Sequence, residues 1–453
     1  MPDPLPPKPV PRPDKVSLRR YVKLFREDIL SAQPARLYRA WMAEFKTPFF
    51  RSFMVNDPKV IKTVLKDRPD DFPKSDRVGA GLRPLLGSSV FLTNGDLWKR
   101  QRRIIDPAFE GGRLKDTFPA MWEASGAAVE RLDGLADGQP FDVEPETSHA
   151  AADVIFRTLF SIPIDDDLAS QVFREFQAHQ RSQPILNLAA FIPGPRWMPR
   201  FFSRETKDTA ARIRALITQL VDRRADELAA GTAPNDLATK IMTMTDPETG
   251  EQFSPSEMVD QVAIFFLAGH ETSASALAWT LYLLATHPHW QEQIAHEAAE
   301  LGPNFSDLSK LRITRNVFRE ALRLYPPVPM MVREATGSET FRERAVRKGA
   351  QIVLSPWHLH RHERMWETPD AFDPSRWDTD AGRASAREAY MPFSAGPRVC
   401  TGAGFAMAEG VLMTARIVAA YQLAPGPEVP IPVAHLTVRA KNGVSISLKR
   451  RIS

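Results

Sequence analysis

Cysteine is almost absent from this chain, since Cys400 is the only one among 453 residues. A single thiol excludes an internal disulfide framework and any zinc or iron–sulfur site built from several cysteines. A long membrane-spanning run is also missing, because the most apolar stretch, 262–285, is interrupted near its middle by His270-Glu271-Thr272-Ser273. An excess of one charge is lacking as well. The 59 basic and 55 acidic residues give a net charge of +4, too small to indicate nucleic-acid binding.

Proline, in contrast, crowds the N-terminus, where it fills seven of the first 13 positions. Such a segment forms neither a signal-peptide core nor a spanning helix, so we expect it to be extended, within a proline-rich lead-in that covers residues 1–30. Residues 31–453 should form a single domain, because 43% apolar residues suffice for a core that encloses a cofactor. The missing disulfides, signal and spanning segment favour a cytoplasmic protein.

Helical patterns dominate the domain and strand candidates are few, so the predicted fold class is mainly α with small β-sheets (α+β). The clearest helix start is at Ser254, which is followed by a first-turn proline and by Glu257 at the capping-box position. That helix should run to about Thr286 and be buried, because 262–267 has no polar face. Alternation predicts a strand at 49–55 and a hairpin at 436–449 that turns at Asn442-Gly443. Other predicted helices cover about 97–109, 114–135, 149–160, 168–182 and 205–229.

The lone cysteine lies in Phe393-Ser-Ala-Gly396-Pro-Arg398-Val-Cys400-Thr-Gly402, directly before a helical pattern. Backbone N–H groups at a helix start favour a thiolate, and glycines let the backbone approach a flat ligand. An isolated cysteine is often an inert core residue. The pattern Phe-x-x-Gly-x-Arg-x-Cys-x-Gly, however, resembles the haem-binding signature of the cytochrome P450 superfamily at every fixed position. The resemblance implies a P450-like fold with haem b between the long central helix and the cysteine-bearing loop and helix, and Cys400 as the axial thiolate ligand of the iron.

The long predicted helix contains Ala268-Gly269-His270-Glu271-Thr272-Ser273. The Thr272 hydroxyl can compete for the Ala268 carbonyl and open the helix locally. The presence of Gly269 calls for a structural explanation, because a glycine inside a helix costs ~1 kcal/mol of stability relative to alanine. Alone, this segment could be a polar patch at a helix–helix contact. Beside the cysteine motif it resembles the family's oxygen-binding segment, which implies that Thr272 helps to hold dioxygen, that Glu271 takes part in proton delivery, and that Ala268 and Gly269 adjoin the cofactor.

Glu320 and Arg323 are three residues apart in a helical pattern, so they can form an ion pair on one helix face. In isolation such a pair is an ordinary surface salt bridge of little worth. Its place ahead of the cysteine motif resembles the family's Glu-x-x-Arg motif, which a later arginine, here Arg376, completes. The resemblance implies a buried structural network that holds the loop presenting Cys400.

Haem carries two propionates, and buried carboxylates need cations or donors. Trp98 and Arg102 match the family's Trp-x-x-x-Arg motif, and Arg333 and Arg398 match its other usual propionate contacts. The alternating histidines of residues 358–362 could instead chelate a metal, but no cysteine or carboxylate triad nearby completes such a site.

The resemblance implies a haem-thiolate monooxygenase that uses O2 and two externally supplied electrons to hydroxylate or epoxidise a small hydrophobic molecule, such as a fatty acid or terpenoid. The chain has no convincing nucleotide motif and no cysteines for an iron–sulfur cluster, so we expect a ferredoxin with its NAD(P)H-dependent reductase as partner. The basic run 99–103 would dock it. The chain resembles soluble bacterial members of the superfamily, and we expect a monomer.

Two alternatives stay open. A peroxide-driven peroxygenase would usually lack the Glu271-Thr272 pair, whereas a non-enzymatic haem carrier or sensor needs no proton relay. The substrate itself cannot be read from the motifs. We expect the walls of its pocket to be 78–92, 184–202, 263–268, 328–332 and 442–444.

Overall fold

The computed structural model describes residues 4–46, 51–110, 112–182, 204–434 and 436–452. Over these residues the fold is mainly helical with short strands, as the periodicity predicts. The α-helices are Leu18–Glu27, Pro58–Lys62, Asp76–Gly79, Arg83–Leu86, Gly95–Phe109, Arg113–Asp133, Glu144–Phe160, Asp167–Ser182, Arg204–Ala229, Leu237–Thr243, Pro255–Thr286, Pro288–Glu297, Arg312–Leu324, Pro356–Leu359, Asp380–Ala389 and Ala403–Ala420. Shorter helical turns are Ala35–Tyr38, Thr63–Asp67, Pro69–Asp71, Phe305–Lys310, Pro374–Asp378 and Gly396–Arg398.

The long helix, Pro255–Thr286, forms the axis of the fold. Ser254 begins it with the predicted capping box: its hydroxyl accepts from the Glu257 N–H at 3.3 Å, and the Glu257 carboxylate accepts from the Ser254 N–H at 2.9 Å. At ~1.5 Å per residue the helix spans roughly 48 Å. It is buried on nearly every side, and Trp279 stacks on Tyr325 with ring centroids 4.0 Å apart.

The largest sheet has four strands in the order Met42–Lys46, Arg51–Val55, Gln351–Leu354 and Met331–Glu334. Its central pair, Arg51–Val55 with Gln351–Leu354, is parallel and the outer pairs are antiparallel. The strand predicted at 49–55 is therefore present from Arg51, and residues 49 and 50 lie outside the described part. A further antiparallel pair joins Glu339–Phe341 to Arg344–Val346.

The hairpin predicted for 436–449 is wrong. Residues Val438–Ala440 pair with Pro432–Ala434, whereas Ser445–Arg450 lies between Tyr421–Pro425 and Phe141–Asp142 in a separate three-stranded sheet. Gly443 has the positive φ of a turn residue, +76°, but the turn links two sheets instead of two paired strands. Alternation along the chain identified strands without identifying their partners.

The N-terminal lead-in packs on the domain. The Tyr325 hydroxyl donates to the Pro7 carbonyl at 2.7 Å, and the Arg12 N–H lies 3.1 Å from the Gln33 carbonyl oxygen. Residues Leu18–Glu27 form a helix within it, and the domain boundary at residue 30 stays a prediction. Among the described residues one helix, Ala403–Ala420, has the length and apolar composition of a membrane span, and 61% of it is buried inside the protein.

Candidate active site

A cavity of about 780 Å³ separates the long helix from the loop that carries Cys400. Ala268 and Thr272 line it from the helix, and Phe393 and Cys400 line it from the loop. Ala268 is exposed in the middle of a helix that is otherwise buried, because it faces this space. The Cys400 sulfur likewise is enclosed by protein and yet open to the cavity. The cavity therefore leaves room for a bound group between the long helix and the Cys400 loop.

The loop that presents Cys400 is shaped by close backbone contacts. The Cys400 N–H donates to the Phe393 carbonyl at 2.9 Å. Gly396 has φ +70°, and a Cβ there would lie 1.8 Å from the Leu65 carbonyl oxygen, so only glycine fits. A Cβ on Gly402, by contrast, would meet nothing within 4 Å. Gly396 thus serves packing between two backbone segments, whereas the surroundings of Gly402 are open.

Burial raises the pKa of the Cys400 thiol, while the Gly402 N–H and the charges of Arg102 and Lys74 lower it only in part. The Gly402 N–H at the helix start thus acts in the expected direction, toward the thiolate, but burial outweighs it in the protein by itself. A bound metal deprotonates a coordinating thiol outright, so the iron charge would complete what the protein begins.

Four cations gather at one end of the cavity: Lys74, Arg102, Arg333 and Arg398. Lys74 and Arg333 face each other through a backbone bridge, and the Arg398 guanidinium lies 4.0 Å from the Trp98 ring centroid. Burial lowers the pKa of Arg333 and of Arg398 to about 10, and burial together with the three arginines lowers the pKa of Lys74 well below its usual value.

The structure shows no ion pair for three of these cations within the described residues. Arg333 donates to the adjacent Val332 carbonyl, Arg398 donates to the Thr93 carbonyl and the Asn94 side chain, and Lys74 donates to the Phe91 carbonyl. Arg102 pairs with Asp106 and also holds the cysteine loop, donating to the Val399 carbonyl at 2.8 Å. Arg333 is buried and Lys74 and Arg398 are half-buried. Cations that lack a counter-charge in such surroundings call for anions, and the two propionates of haem fit this need.

Lys74 was not identified from the sequence. It follows Pro73 in a segment without a pattern, and only the fold brings it beside Arg333. Its distance in the chain from Trp98, Arg102 and Arg398 gave no local signal that could have found it.

Thr272 makes the backbone contact expected from its spacing, donating to the Ala268 carbonyl at 2.5 Å. The long helix nevertheless stays continuous through this point and shows no local opening. Gly269 has a packing reason, since a Cβ there would lie 2.5 Å from Ile155 Cδ1 on the crossing helix Glu144–Phe160. His270 points away from the cavity to the Ser148 hydroxyl, 2.7 Å from its Nε2.

Glu271 is held by the C-terminal segment of the chain. The Thr437 hydroxyl donates to its carboxylate at 2.9 Å, and Arg439 forms an ion pair with it at 3.0 Å. Arg439 also donates to Gln180 at 3.1 Å. Sequence reasoning missed Thr437 and Arg439, because they belong to the strand region that was predicted as a hairpin.

Glu320 and Arg323 form a fully buried bidentate pair, with N–O distances of 2.8 and 2.9 Å. Arg376 donates to the same carboxylate at 2.9 Å. Arg323 also donates to the His360 carbonyl at 2.8 Å, and the His360 ring accepts from the Met391 N–H at 2.9 Å. This chain of contacts leads from the ion pair to the start of the cysteine loop.

The alternating histidines are occupied by structural contacts. His358 contacts the Ser355 hydroxyl, His360 joins the network above, and His362 stacks on Trp41. Burial lowers the pKa of His358 and His360 to about 3. No group of three metal-binding side chains occurs in the part of the chain that the structure describes.

The remaining cavity wall is mostly apolar. Of the expected segments, 78–92, 263–268 and 328–332 contribute to it, while 184–202 lies outside the described residues. The predicted tip at 442–444 does not line it, because that turn belongs to another sheet, and Leu436 and Thr437 do so instead. Sequence reasoning also missed a wall from the N-terminal helix: Tyr21, Val22 and Phe25.

A thiol facing a cavity that is otherwise mostly apolar, with a cluster of four cations of which three have no ion pair among the described residues, defines a haem-thiolate site in a mainly helical fold. The chain belongs to the cytochrome P450 family, whose model, "Cytochrome P450", matches residues 41–446. It is a cytochrome P450 monooxygenase, and haem b is its cofactor.

Several characterised proteins are similar to the chain. Cytochrome P450 4A10 of Rattus norvegicus is 32% identical over 421 residues, which cover 88% of this chain and 81% of that protein. Cyclooctat-9-en-7-ol 5-monooxygenase of Streptomyces melanosporofaciens is 32% identical, covering 83% and 81%. Cytokinin hydroxylase of Arabidopsis thaliana is 29% identical, covering 87% and 78%. These relatives come from a mammal, a bacterium and a plant, so they do not single out the bacterial members.

The crystal structure of the cytochrome P450DA heme domain has the same fold. It superposes with a TM-score of 0.82 at 24% sequence identity and covers 99% of this chain and 98% of its own.

Proposed function

We propose that this monooxygenase hydroxylates or epoxidises a small hydrophobic molecule bound in the cavity beside the long helix. The observation that carries the proposal is that Cys400 and Thr272 face one cavity from opposite walls, and that the remaining wall is mostly apolar. When bound, haem supplies the activation of O2, and the protein supplies binding, orientation and electrostatics.

Each site residue then has a proposed task. Cys400 would ligate the haem iron, and Phe393 and Gly402, which line the cavity in the same loop, would help to hold the group. Lys74 and Arg333, with Trp98, Arg102 and Arg398, hold the propionates, because buried carboxylates are stabilised by charge-assisted hydrogen bonds.

Protons are handled on the opposite wall. The Thr272 hydroxyl donates its proton to the Ala268 carbonyl and presents Oγ1 to the cavity as a hydrogen-bond acceptor. Ala268 and Gly269 would keep the helix backbone close to a bound cofactor. Glu271 exchanges protons with solvent through the partly exposed Arg439 side of its ion pair.

Electrons come from a ferredoxin with an NAD(P)H-dependent reductase in this proposal. The basic run 99–103 is a weaker docking surface than its composition suggests. Arg100 pairs with Glu257 at 2.7 Å and Arg103 with Asp246 at 2.6 Å. Lys99 is the most exposed cation of the run. Electrostatic steering of the redox partner should therefore depend on Lys99 more than on its neighbours.

For the substrate, an apolar molecule such as a terpenoid or a fatty acid fits the wall. One relative is named for a monooxygenase acting on cyclooctat-9-en-7-ol, which supports the terpenoid class. Cytoplasmic location and a monomeric state are part of the proposal, to be checked by cell fractionation and by the mass in solution.

The test starts from haem-loaded protein. A red-shifted carbon monoxide spectrum of the reduced protein checks thiolate ligation, and spin-state shifts select ligands from a library of terpenoids and fatty acids. Product analysis then compares three drivers: ferredoxin with reductase and NAD(P)H, a single-component flavoprotein reductase, and peroxide. Oxidation of a selected ligand with ferredoxin is expected. If product forms with peroxide but not with ferredoxin, the proposed electron supply is overturned. If Thr272→Ala yields as much product per NAD(P)H as the wild type, the proposed role of Thr272 is overturned.

A further inference from the structure

The proline-rich segment at the N-terminus has one buried face. Pro6, Pro9 and Arg12 are buried, whereas the residues between them are exposed or half-buried. The buried positions recur at every third residue, which is the period of the left-handed polyproline II helix. Residues 4–11 lie in neither an α-helix nor a β-strand, as expected of that conformation. Residues 4–12, here called the strap, therefore lie against the domain along one side of a polyproline helix.

The strap rests on aromatic side chains. The Tyr325 hydroxyl donates to the Pro7 carbonyl at 2.7 Å, and the Lys8 ammonium lies 5.1 Å from the Tyr38 ring centroid. Trp357 joins the two tyrosines, because its Nε1 donates to the Tyr38 hydroxyl at 2.9 Å and its ring centroid lies 6.1 Å from that of Tyr325. An aromatic groove suits a polyproline ligand, since the preformed helix loses little entropy on binding.

Arg12 fastens the end of the strap to the segment that begins at Tyr21 and ends at Gln33. The Arg12 N–H lies 3.2 Å from the Ser31 carbonyl oxygen and 3.1 Å from that of Gln33, and its Nε donates to the Ala32 carbonyl at 2.6 Å. The guanidinium carbon lies 5.4 Å from the Tyr21 ring centroid. One buried side chain thus contacts both ends of this segment.

The segment 21–33 is part of the cavity wall. Tyr21, Phe25, Ile29 and Gln33 all line the cavity. The first two belong to the helix Leu18–Glu27, which has only ten residues. A helix of that length is marginal by itself, so its position depends on tertiary contacts such as those of the strap.

We propose that the aromatic groove (Tyr38, Tyr325 and Trp357) binds the strap as a polyproline II ligand, and that this docking fixes the wall segment 21–33 against the substrate. The strap then takes part in substrate selection without touching the substrate, and Arg12 is a positioning residue. With the strap docked, the wall is rigid and a bound molecule is held in one orientation. With the strap released, the wall loses its outer support and the molecule can turn. The inference rests on the proposed function, because it requires a small hydrophobic molecule in the cavity.

A purely structural role of the strap is the competing explanation, and two pairs of proline substitutions separate the two. The inner-face variant, Pro6→Ala with Pro9→Ala, changes the buried side of the strap. The outer-face variant, Pro4→Ala with Pro13→Ala, changes two exposed prolines and is the matched control. Both variants free two prolines, so the unfolded chain gains a similar entropy in each.

A second pair of variants tests the link from the strap to the wall. Arg12→Met removes the donors to the Ala32 carbonyl and the cation over the Tyr21 ring. Arg19→Met, at an exposed arginine on the helix Leu18–Glu27, is its control.

Hydrogen exchange of the haem-loaded, full-length proteins reads docking. The Arg12 amide is bonded to carbonyl groups of the wall segment, so its exchange reports whether the strap is in place. It should be at least about tenfold faster in the inner-face variant than in the wild type and the outer-face variant. Equal exchange in the two double variants would overturn docking through the proline face.

Spin-state titration with a ligand that the wild type binds reads substrate selection. The dissociation constant should rise at least about fivefold in the inner-face variant and in Arg12→Met and stay within about twofold in the two controls, because apparent affinity falls with the fraction of molecules whose wall is in place. The products should also become more varied in the first two. Haem content and the reduced carbon monoxide spectrum should stay equal in all five proteins.

Faster exchange with unchanged ligand affinity and products would refute the role in substrate selection. A loss of haem in step with the loss of affinity would assign the strap a structural role only and would also overturn the proposal. If no ligand shifts the spin state of the wild type, the proposed function fails and the selection role fails with it. The exchange measurement would still decide whether the groove binds the strap.

Discussion

Replacing Gly396 with alanine should weaken both haem retention and stability. The residue has φ +70°, and an added Cβ would lie 1.8 Å from the Leu65 carbonyl oxygen. An ordinary contact begins at 3.4 Å, so the two backbone segments would have to separate by about 1.6 Å. Because Cys400 is four residues away on the same loop, that movement displaces the iron ligand.

The expected loss of stability in Gly396→Ala is the sum of two costs. A residue with a Cβ in the left-handed region costs roughly 1–2 kcal/mol, and forced overpacking costs about 1–3 kcal/mol more. A loss of roughly 2–5 kcal/mol is a large part of the 5–15 kcal/mol by which a typical domain is stable.

The matched control is Gly404→Ala, eight residues further on. A Cβ there would meet only Leu114 Cδ2 at 3.8 Å, and the site lies within the helix Ala403–Ala420. Helix propensity makes that change neutral or stabilising by up to ~1 kcal/mol. Haem absorbance per protein, the reduced carbon monoxide spectrum and the thermal midpoint should all fall in Gly396→Ala and hold in Gly404→Ala. Equal haem content and equal midpoints in the two variants would refute the reasoning.

Three further changes test other parts of the site. Glu320→Ala leaves Arg323 and Arg376 buried without a counter-charge, so it should cost ~3–5 kcal/mol and lose haem; full haem occupancy would contradict this. Arg333→Met removes one cation that has no ion pair and should speed haem transfer to an acceptor protein while leaving the carbon monoxide spectrum unchanged; an unaltered transfer rate would count against propionate binding. Burial within the helix Ala403–Ala420 raises the pKa of Glu409 to about 8, so the folded state keeps this proton up to a higher pH than the unfolded state does. Wild-type unfolding free energy should therefore fall from about pH 4.5 to 8, by up to roughly 5 kcal/mol relative to Glu409→Gln, and parallel pH profiles in urea titrations would disprove it.

The sequence predicted most of the helices because their signals are local. Ser254 and Glu257 begin the long helix by direct contact with one another, and Glu320 reaches Arg323 within one turn. Both pairs depend only on residue spacing along one helix, and that spacing can be read directly from the sequence.

What the sequence did not predict depends on contacts between elements. The strands around Asn442 were identified, but their partners at Pro432–Ala434 and Tyr421–Pro425 are a matter of tertiary packing. Lys74 and Arg439 were missed for the same reason, since each meets its neighbours only through the fold. The sequence does carry a signal for Glu409, because it is a single acid in an apolar helical run, but this residue was not predicted as part of the site.

The scattered origin of the four cations bears on how the enzyme is made in a cell. Lys74, Arg102, Arg333 and Arg398 come from four separate regions of the chain and repel one another until an anion arrives. A dianionic ligand that joins them acts as a late cross-link, and its binding stabilises the native state by mass action. When the supply of haem is short, newly made chains should therefore accumulate as a loosened, protease-sensitive form, and cofactor supply would then limit the yield of enzyme.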